Sequence, residues 1–345
     1  MMGALLLALV VLGAGFAAVE LVRRMAVRRG ILDVPGARSS HQVPTPRGGG
    51  LVIVVTSLAA PLAVAGWSGT PLERPVLAWI VGGTAIALLG WRDDVRSLST
   101  VSRLAVQVAA AGLVLAWAGW PRILELPGLG PVELGWAGPV LTLLWIVGLT
   151  NAYNFMDGID GIAAGQAVVA GAAWGIIGGL ADAPQVTAIG WAVAVSSAAF
   201  MLHNWSPARI FMGDVGSGFL GFTFAVLPLM VVAGGTRIDP ARLPWSAAAL
   251  VWPFLFDAFA TFSRRLLRRE NVFEAHRRHF YQRLVIAGGS HRGVAALYSS
   301  FALAAAILTV AWLDDRQGAG PLLLGVLLTF SGGLVLRVRA RERGC

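Results

Sequence analysis

Lysine is missing from this sequence: all 27 basic residues are arginine. Arginine stays protonated, so this basic set offers charge and hydrogen bonds but no base. Cysteine is nearly missing as well. The single copy, Cys345, excludes an intramolecular disulfide framework and a cysteine-based metal site. Charge itself is scarce, at 13% of 345 residues against 57% hydrophobic. Soluble domains carry roughly 25% charged residues. That shortage excludes a water-soluble globular enzyme and a disordered chain.

What is present is apolar sequence in long runs. A membrane span takes roughly 20 such residues. Runs at approximately 3–22, 48–66, 75–91, 104–120, 137–150, 162–181, 185–202, 217–234, 244–263, 295–313 and 319–336 give eleven candidate helices. The first run is followed, not preceded, by Arg23, Arg24, Arg28 and Arg29, which reads as an anchor with its N-terminus outside. Alternating from there, one side of the membrane collects 22 of the 27 arginines. The positive-inside rule makes that side cytoplasmic. The net charge of +9 then reports topology, and nucleic acid is not an expected partner. Trp67, Trp91, Trp120 and Trp136 fall near span ends, where amphipathic rings suit the interface. With no repeat and no soluble segment, the expectation is one all-α polytopic domain, 1–345, with its C-terminus cytoplasmic.

The chemistry-bearing residues gather on the same side. His41, His203, His276, His279 and His291 all fall there, with Asp93, Asp94, Asp157, Asp160 and Asp214. A proton or ion path would scatter ionisable groups through the bilayer, so the pattern points to an active site at the cytoplasmic face. Asp93 and Asp94 are adjacent carboxylates that repel unless a cation or proton stands between them. They read as a magnesium–phosphate site or as a plain helix end beside Arg92 and Arg96. Asn154, Asp157 and Asp160 are spaced three apart, so a helical turn would set them along one face. Hard oxygens in that array suit Mg²⁺ or a nucleotide sugar, and a polar loop is the alternative. Around Asp214, Gly213, Gly216 and Gly218 open a span whose N-terminus can present N–H groups to phosphate. Phe211 is a core ring or a stacking platform for a base. His276, Arg277 and His279 would form a cationic clamp for a diphosphate, against the alternative of a solvated loop. Gly48, Gly49 and Gly50 follow Arg47 and offer a further anion contact, a weak signal alone.

Five blocks in this order resemble a known superfamily: His41–Gly50, Asp93-Asp94, Asn151–Gly161, Asn204–Gly218 and His276–Leu284. The chain resembles the polyprenyl-phosphate N-acetylhexosamine-1-phosphate transferases over approximately residues 33–292. The resemblance implies that a membrane-embedded polyprenyl phosphate attacks a UDP-linked amino sugar. Polyprenyl-diphospho-sugar forms and UMP leaves, with Mg²⁺ required and Mn²⁺ a substitute. It implies Asp214 as metal ligand and Asp93 and Asp94 near the lipid phosphate. Asn154, Asp157 and Asp160 would lie near the nucleotide and diphosphate. Asn204 and Phe211 would contact the nucleoside. His276, Arg277 and His279 would touch the diphosphate and sugar. The His-Arg-x-His form of that last block resembles the O-antigen-initiating branch more than the phospho-MurNAc-pentapeptide translocase. The translocase's functional lysines have no counterpart here; Arg47 and Arg103 are the nearest stand-ins. The setting implied is a bacterial inner membrane, with the bilayer and, as one assembly option, a second copy of the chain as partners. Two other readings stay open. A lipid transporter would explain spans and arginines but not five nucleotide-type blocks. An intramembrane aspartyl protease would pair Asp214 with Asp257 across a shared proton.

Overall fold

In hydrocarbon every backbone N–H and C=O must be paired within the protein, and a helix does this within one segment. Each long apolar run except that at 244–263 accordingly forms one. The computed structural model describes residues 2–36, 43–271, 274 and 276–343; His41 and Cys345 lie outside them. The helices are α1 Met2–Arg29, α2 Gly50–Ser68, α3 Arg74–Val95, α4 Thr100–Ala118, α5 Gly138–Met156, α6 Ile162–Leu180, α7 Pro184–Asn204 and α8 Asp214–Ala233. They continue with α9 Leu243–Leu250, α10 Trp252–Leu267, α11 Phe280–Ile286, α12 His291–Leu313 and α13 Ala319–Arg343. Among the described residues nine are long and apolar enough to cross a membrane, or ten if α9 and α10 make one span. The 28-residue α1 is a further long helix. The protein is an all-α multi-pass membrane protein.

α8 lies at the centre. Nearly all of its length is enclosed, and Phe219, Phe222 and Phe224 are fully buried. α3 and α5 flank it, while α6 and α7 pair closely and carry α2 and α12 on their outer sides. The outer faces keep apolar side chains exposed, among them Leu62, Leu88, Leu144, Phe259, Leu303 and Leu328. Water would penalise such a surface and lipid does not.

Two expectations need correction. The run at 244–263 is not one straight span: α9 and α10 meet at 81° around Val251. Pro253 in the first turn of α10 has no N–H to donate back to α9, so the ladder cannot continue. The array from Asn154 to Asp160 is not a helical turn. α5 ends at Met156, Asp157 turns out of the helix at φ −85°, ψ 55°, and Gly161 enters α6 left-handed at φ 79°. Between α4 and α5, β3 Ile123–Leu126 and β4 Gly130–Glu133 form an antiparallel hairpin. A smaller ribbon, β1 Leu32–Asp33 with β2 Thr45–Pro46, precedes α2.

Candidate active site

The site is assembled from helix ends. α3 finishes at Asp93 and Asp94 where α8 begins. The first N–H groups of a helix have no partner inside it. Here the Asp214 N–H donates to Asp94 Oδ1 at 3.0 Å and the Val215 N–H to Asp94 Oδ2 at 3.2 Å. The Asp94 side chain thus caps α8, and its charge sits favourably at the positive end of the helix dipole. This crossing needs Gly90, because a Cβ there would lie 2.4 Å from the backbone of Asp214. The Asp214 carboxyl in turn lies within hydrogen-bonding reach of Asp93 and Asn154. Asn154, in the last turn of α5, accepts from Ser217 Oγ at 2.6 Å, which ties α5 to α8.

The first loop is stitched to the same place. Gly49 N–H donates to Phe211 O at 3.0 Å, Gly50 N–H to Met212 O at 2.9 Å, and Phe211 N–H to Pro46 O at 2.8 Å. Between these bonds Arg47 reaches inward, with Nη2 at 2.7 Å from Asp33 and Nη1 at 3.6 Å from Asp94. The result is a cavity of about 230 Å³. Its walls include Asp33, Arg47, Asp94, Asn154, Asp157, Asp160, Asn204, Phe211, Asp214, Gln282 and His291.

Five carboxylates against Arg47 and His291 make this cavity acidic. Burial, and then the neighbouring Asp94 and Asp160, pushes the Asp157 carboxyl up to about 7. Asp160 goes the other way. Burial would raise it, but His291, with Nδ1 at 3.3 Å from the carboxylate, and the Ser206 and Ala208 donors hold it below the usual carboxylate range. Among the described residues no three His, Cys, Asp or Glu side chains form a ready metal cage. The donor set nevertheless fits Mg²⁺, a hard cation usually held by one or two carboxylates, with water and substrate phosphate completing the shell. Asp94 and Asp214 offer such oxygens beside Asn154.

Several predicted residues stand outside the lining or are engaged within the protein. Asp93 does not line the cavity: its oxygens accept from the Leu98 N–H at 2.6 Å and Arg103 Nη1 at 3.0 Å. Arg103 is thereby spent on Asp93. Asn204 lines the cavity, yet it uses its amide on backbone, accepting from Gly161 N–H and donating to Ile210 O, each at 2.9 Å. His276, Arg277 and His279 stand outside the lining. Burial, and then His279, Arg265 and Arg278, pushes His276 down to about 4, so it is neutral at pH 7. His276 therefore adds no positive charge to that block at pH 7. Arg277 holds its Nε buried without a partner.

His279 belongs to a network around the fully buried Asp257. Asp257 accepts from the backbone N–H groups of Phe280 at 2.8 Å and Tyr281 at 3.0 Å, and from Tyr298 Oη at 2.7 Å. Thr261 Oγ1 donates at 3.3 Å, and His279 Nδ1 lies at 3.1 Å. A carboxylate so fully engaged is not the free half of an aspartyl protease pair. Its work is to hold the start of α11, which carries Gln282 to the cavity. Tyr281 of the same helix donates to Phe155 O at 3.0 Å, and a Cβ on Gly158 would fall 2.0 Å from its hydroxyl.

Asp33, Gln282 and His291 are cavity residues that sequence reasoning did not choose. His291 had a signal, since it shares its side of the membrane with every other histidine. Gln282 sat inside a quoted block with no role. Asp33 gave no signal beyond being an acid in a loop.

With this geometry in place, comparison with known proteins is specific. Residues 76–232 match glycosyl transferase family 4. The chain is 32% identical over 273 residues to a probable undecaprenyl-phosphate N-acetylglucosaminyl 1-phosphate transferase of Bacillus subtilis, spanning 79% of this chain and 74% of that protein. It is 30% identical over 361 residues to a decaprenyl-phosphate N-acetylglucosaminephosphotransferase of Mycobacterium leprae, spanning 94% of this chain and 88% of that protein. It is also 35% identical over 234 residues to a phospho-N-acetylmuramoyl-pentapeptide-transferase of Synechococcus, spanning 64% of each. An acidic cavity framed by helix ends in a multi-pass bundle, and likeness along most of two such transferases, place the chain in the polyprenyl-phosphate N-acetylhexosamine-1-phosphate transferase superfamily, to which it belongs.

Proposed function

We propose that the protein moves N-acetylglucosamine 1-phosphate from its UDP-linked donor to a polyprenyl phosphate at the cytoplasmic face of a bacterial inner membrane, releasing UMP. The observation that carries this reading is the Asp94–Asp214 junction, where two carboxyls and Asn154 stand at the N-terminus of a buried helix. Carboxyls so close need a cation or proton between them. Bound Mg²⁺ would supply charge neutralisation for the diphosphate, with Asp214 and Asp94 as its protein oxygens. The remaining roles fall to the chain. A phosphate monoester has its second pKa at about 6, so the lipid nucleophile needs little deprotonation. It needs alignment and relief from anion–anion repulsion. Arg47, braced by Asp33, offers the cavity's guanidinium to an approaching phosphate. Phe211 offers a ring face to the base. Arg277, with its unpaired Nε, lies beyond the cavity wall and serves an extended donor's sugar or diphosphate.

The names of the N-acetylglucosamine transferases support the choice of sugar. The pentapeptide transferases among the relatives favour a second donor, UDP-MurNAc-pentapeptide. The test is UMP release from the purified full-length protein with polyprenyl phosphate, Mg²⁺ and either donor. Release with UDP-N-acetylglucosamine is expected, and Asp214→Ala should abolish it while the protein still folds and inserts. Absence of release with every UDP-amino sugar would overturn the reading.

A further inference from the structure

A second cavity, of about 330 Å³, lies between the α11–α12 turn and the end of α13. It shares no lining residue with the acidic cavity. The N-terminal turn of α12 separates the two: His291 faces the acidic side, whereas Ser290, Gly293 and Val294 face this one. Its lower wall is apolar, formed by the half-buried Leu297 over the almost fully buried Leu284 and Val294. Its upper edge carries Arg337 and Arg341, one helical turn apart on the same face of α13.

The charge of this groove is uncompensated. Neither Arg337 nor Arg341 has a hydrogen bond or ion pair within the described residues. The acid next to Arg341 in sequence is Glu342, and it is already taken by Arg283, with Nε at 2.7 Å and Nη2 at 2.6 Å. The positive end of the α12 dipole adds to the same field. Leu297 lies about 9 Å down α12 from Ser290–His291, at 1.5 Å per residue, so the apolar wall descends toward the hydrocarbon. A soluble anion would use the two arginines and leave the half-buried Leu297 uncovered. An amphiphile uses both.

From this complementarity we infer that the groove between α11, α12 and α13 is a binding site for an anionic phospholipid, its phosphate on Arg337 and Arg341 and its upper acyl chain against Leu297. The site is separate from the transferase chemistry, and its test needs no turnover. The full-length protein in detergent is titrated with phosphatidylglycerol, and bound lipid is counted by native mass spectrometry. Each of Arg337→Gln and Arg341→Gln should weaken binding by about 5-fold, and the pair by about 25-fold. Arg339→Gln, on the same helix but outside the groove, should leave it unchanged. Phosphatidylcholine should bind several-fold more weakly and ignore the two arginines. Equal retention of phosphatidylglycerol by the double variant overturns the proposal, as does an equal loss in Arg339→Gln. Glycerol phosphate binding as tightly as the lipid overturns it in favour of a soluble anion.

Discussion

Asp93 and Asp94 are chemically identical neighbours, and only their surroundings divide them. Asp93 is held by Leu98 and Arg103; Asp94 caps α8 and faces the cavity. Asp94→Asn should therefore cost more turnover than Asp93→Asn, read as UMP release, since the amide cannot accept from both Asp214 and Val215. Gly158 offers a sharper test. Its Cα faces the Tyr281 hydroxyl with no room for a methyl group. Gly158→Ala should destabilise the protein by about 1–3 kcal/mol, the usual cost of overpacking, and Tyr281→Phe should return part of it. A double-mutant cycle on thermal unfolding measures the coupling. Asp160 gives a pH prediction. Its carboxyl is held below its ordinary value in the folded protein by His291 and two further donors, against burial. It contributes stability above the unfolded value of about 4, and loses it as pH falls through the lower folded value. Thermal melts from pH 6 down to pH 3, a range set to bracket that value of about 4, should lose part of their slope in Asp160→Asn.

At the scale of elements, Asp257 matters most. It joins α10, α11 and α12 through Phe280, Tyr281, His279 and Tyr298. Asp257→Ala would strand two backbone N–H groups and a tyrosine hydroxyl in a buried place. A loss of about 3–5 kcal/mol is expected, as when one partner of a buried network is removed, with Asp257→Asn in between; unfolding midpoints check both. The elements also show where sequence reasoning reaches. Long helices were legible because burial in lipid demands apolar side chains on nearly every face. The bend at Val251 was not, because a proline inside an apolar run fits a kink or a straight helix start equally well. β3 and β4 have four residues each, and β1 and β2 have two, too few for a period to register. Asp33 reaches the site only through that shortest ribbon, so its part was hidden with it. The motif blocks did name most of the acidic wall. They did not tell Asp93 from Asp94, since that depends on which carboxylate α8 happens to meet.

At the scale of the molecule, the arginine distribution predicts an orientation that can be measured. In a Cys345→Ser background, Ser97→Cys should react with a membrane-impermeant thiol reagent only from the cytoplasmic side. Thr70→Cys, exposed at the opposite end of α3, should react only from outside. The makeup of the acidic cavity's wall carries one more consequence. Between residues 76 and 232, the stretch shared with family 4, lie Asp94, Asp157, Asp160 and Asp214. Arg47 and His291, the basic groups of that wall, lie on either side of the stretch. A minimal fragment cut to the shared stretch would keep four of the five acids and discard Asp33 with both counter-charges. Catalytic competence in this chain is therefore not portable: its distant ends complete the electrostatics that its middle begins.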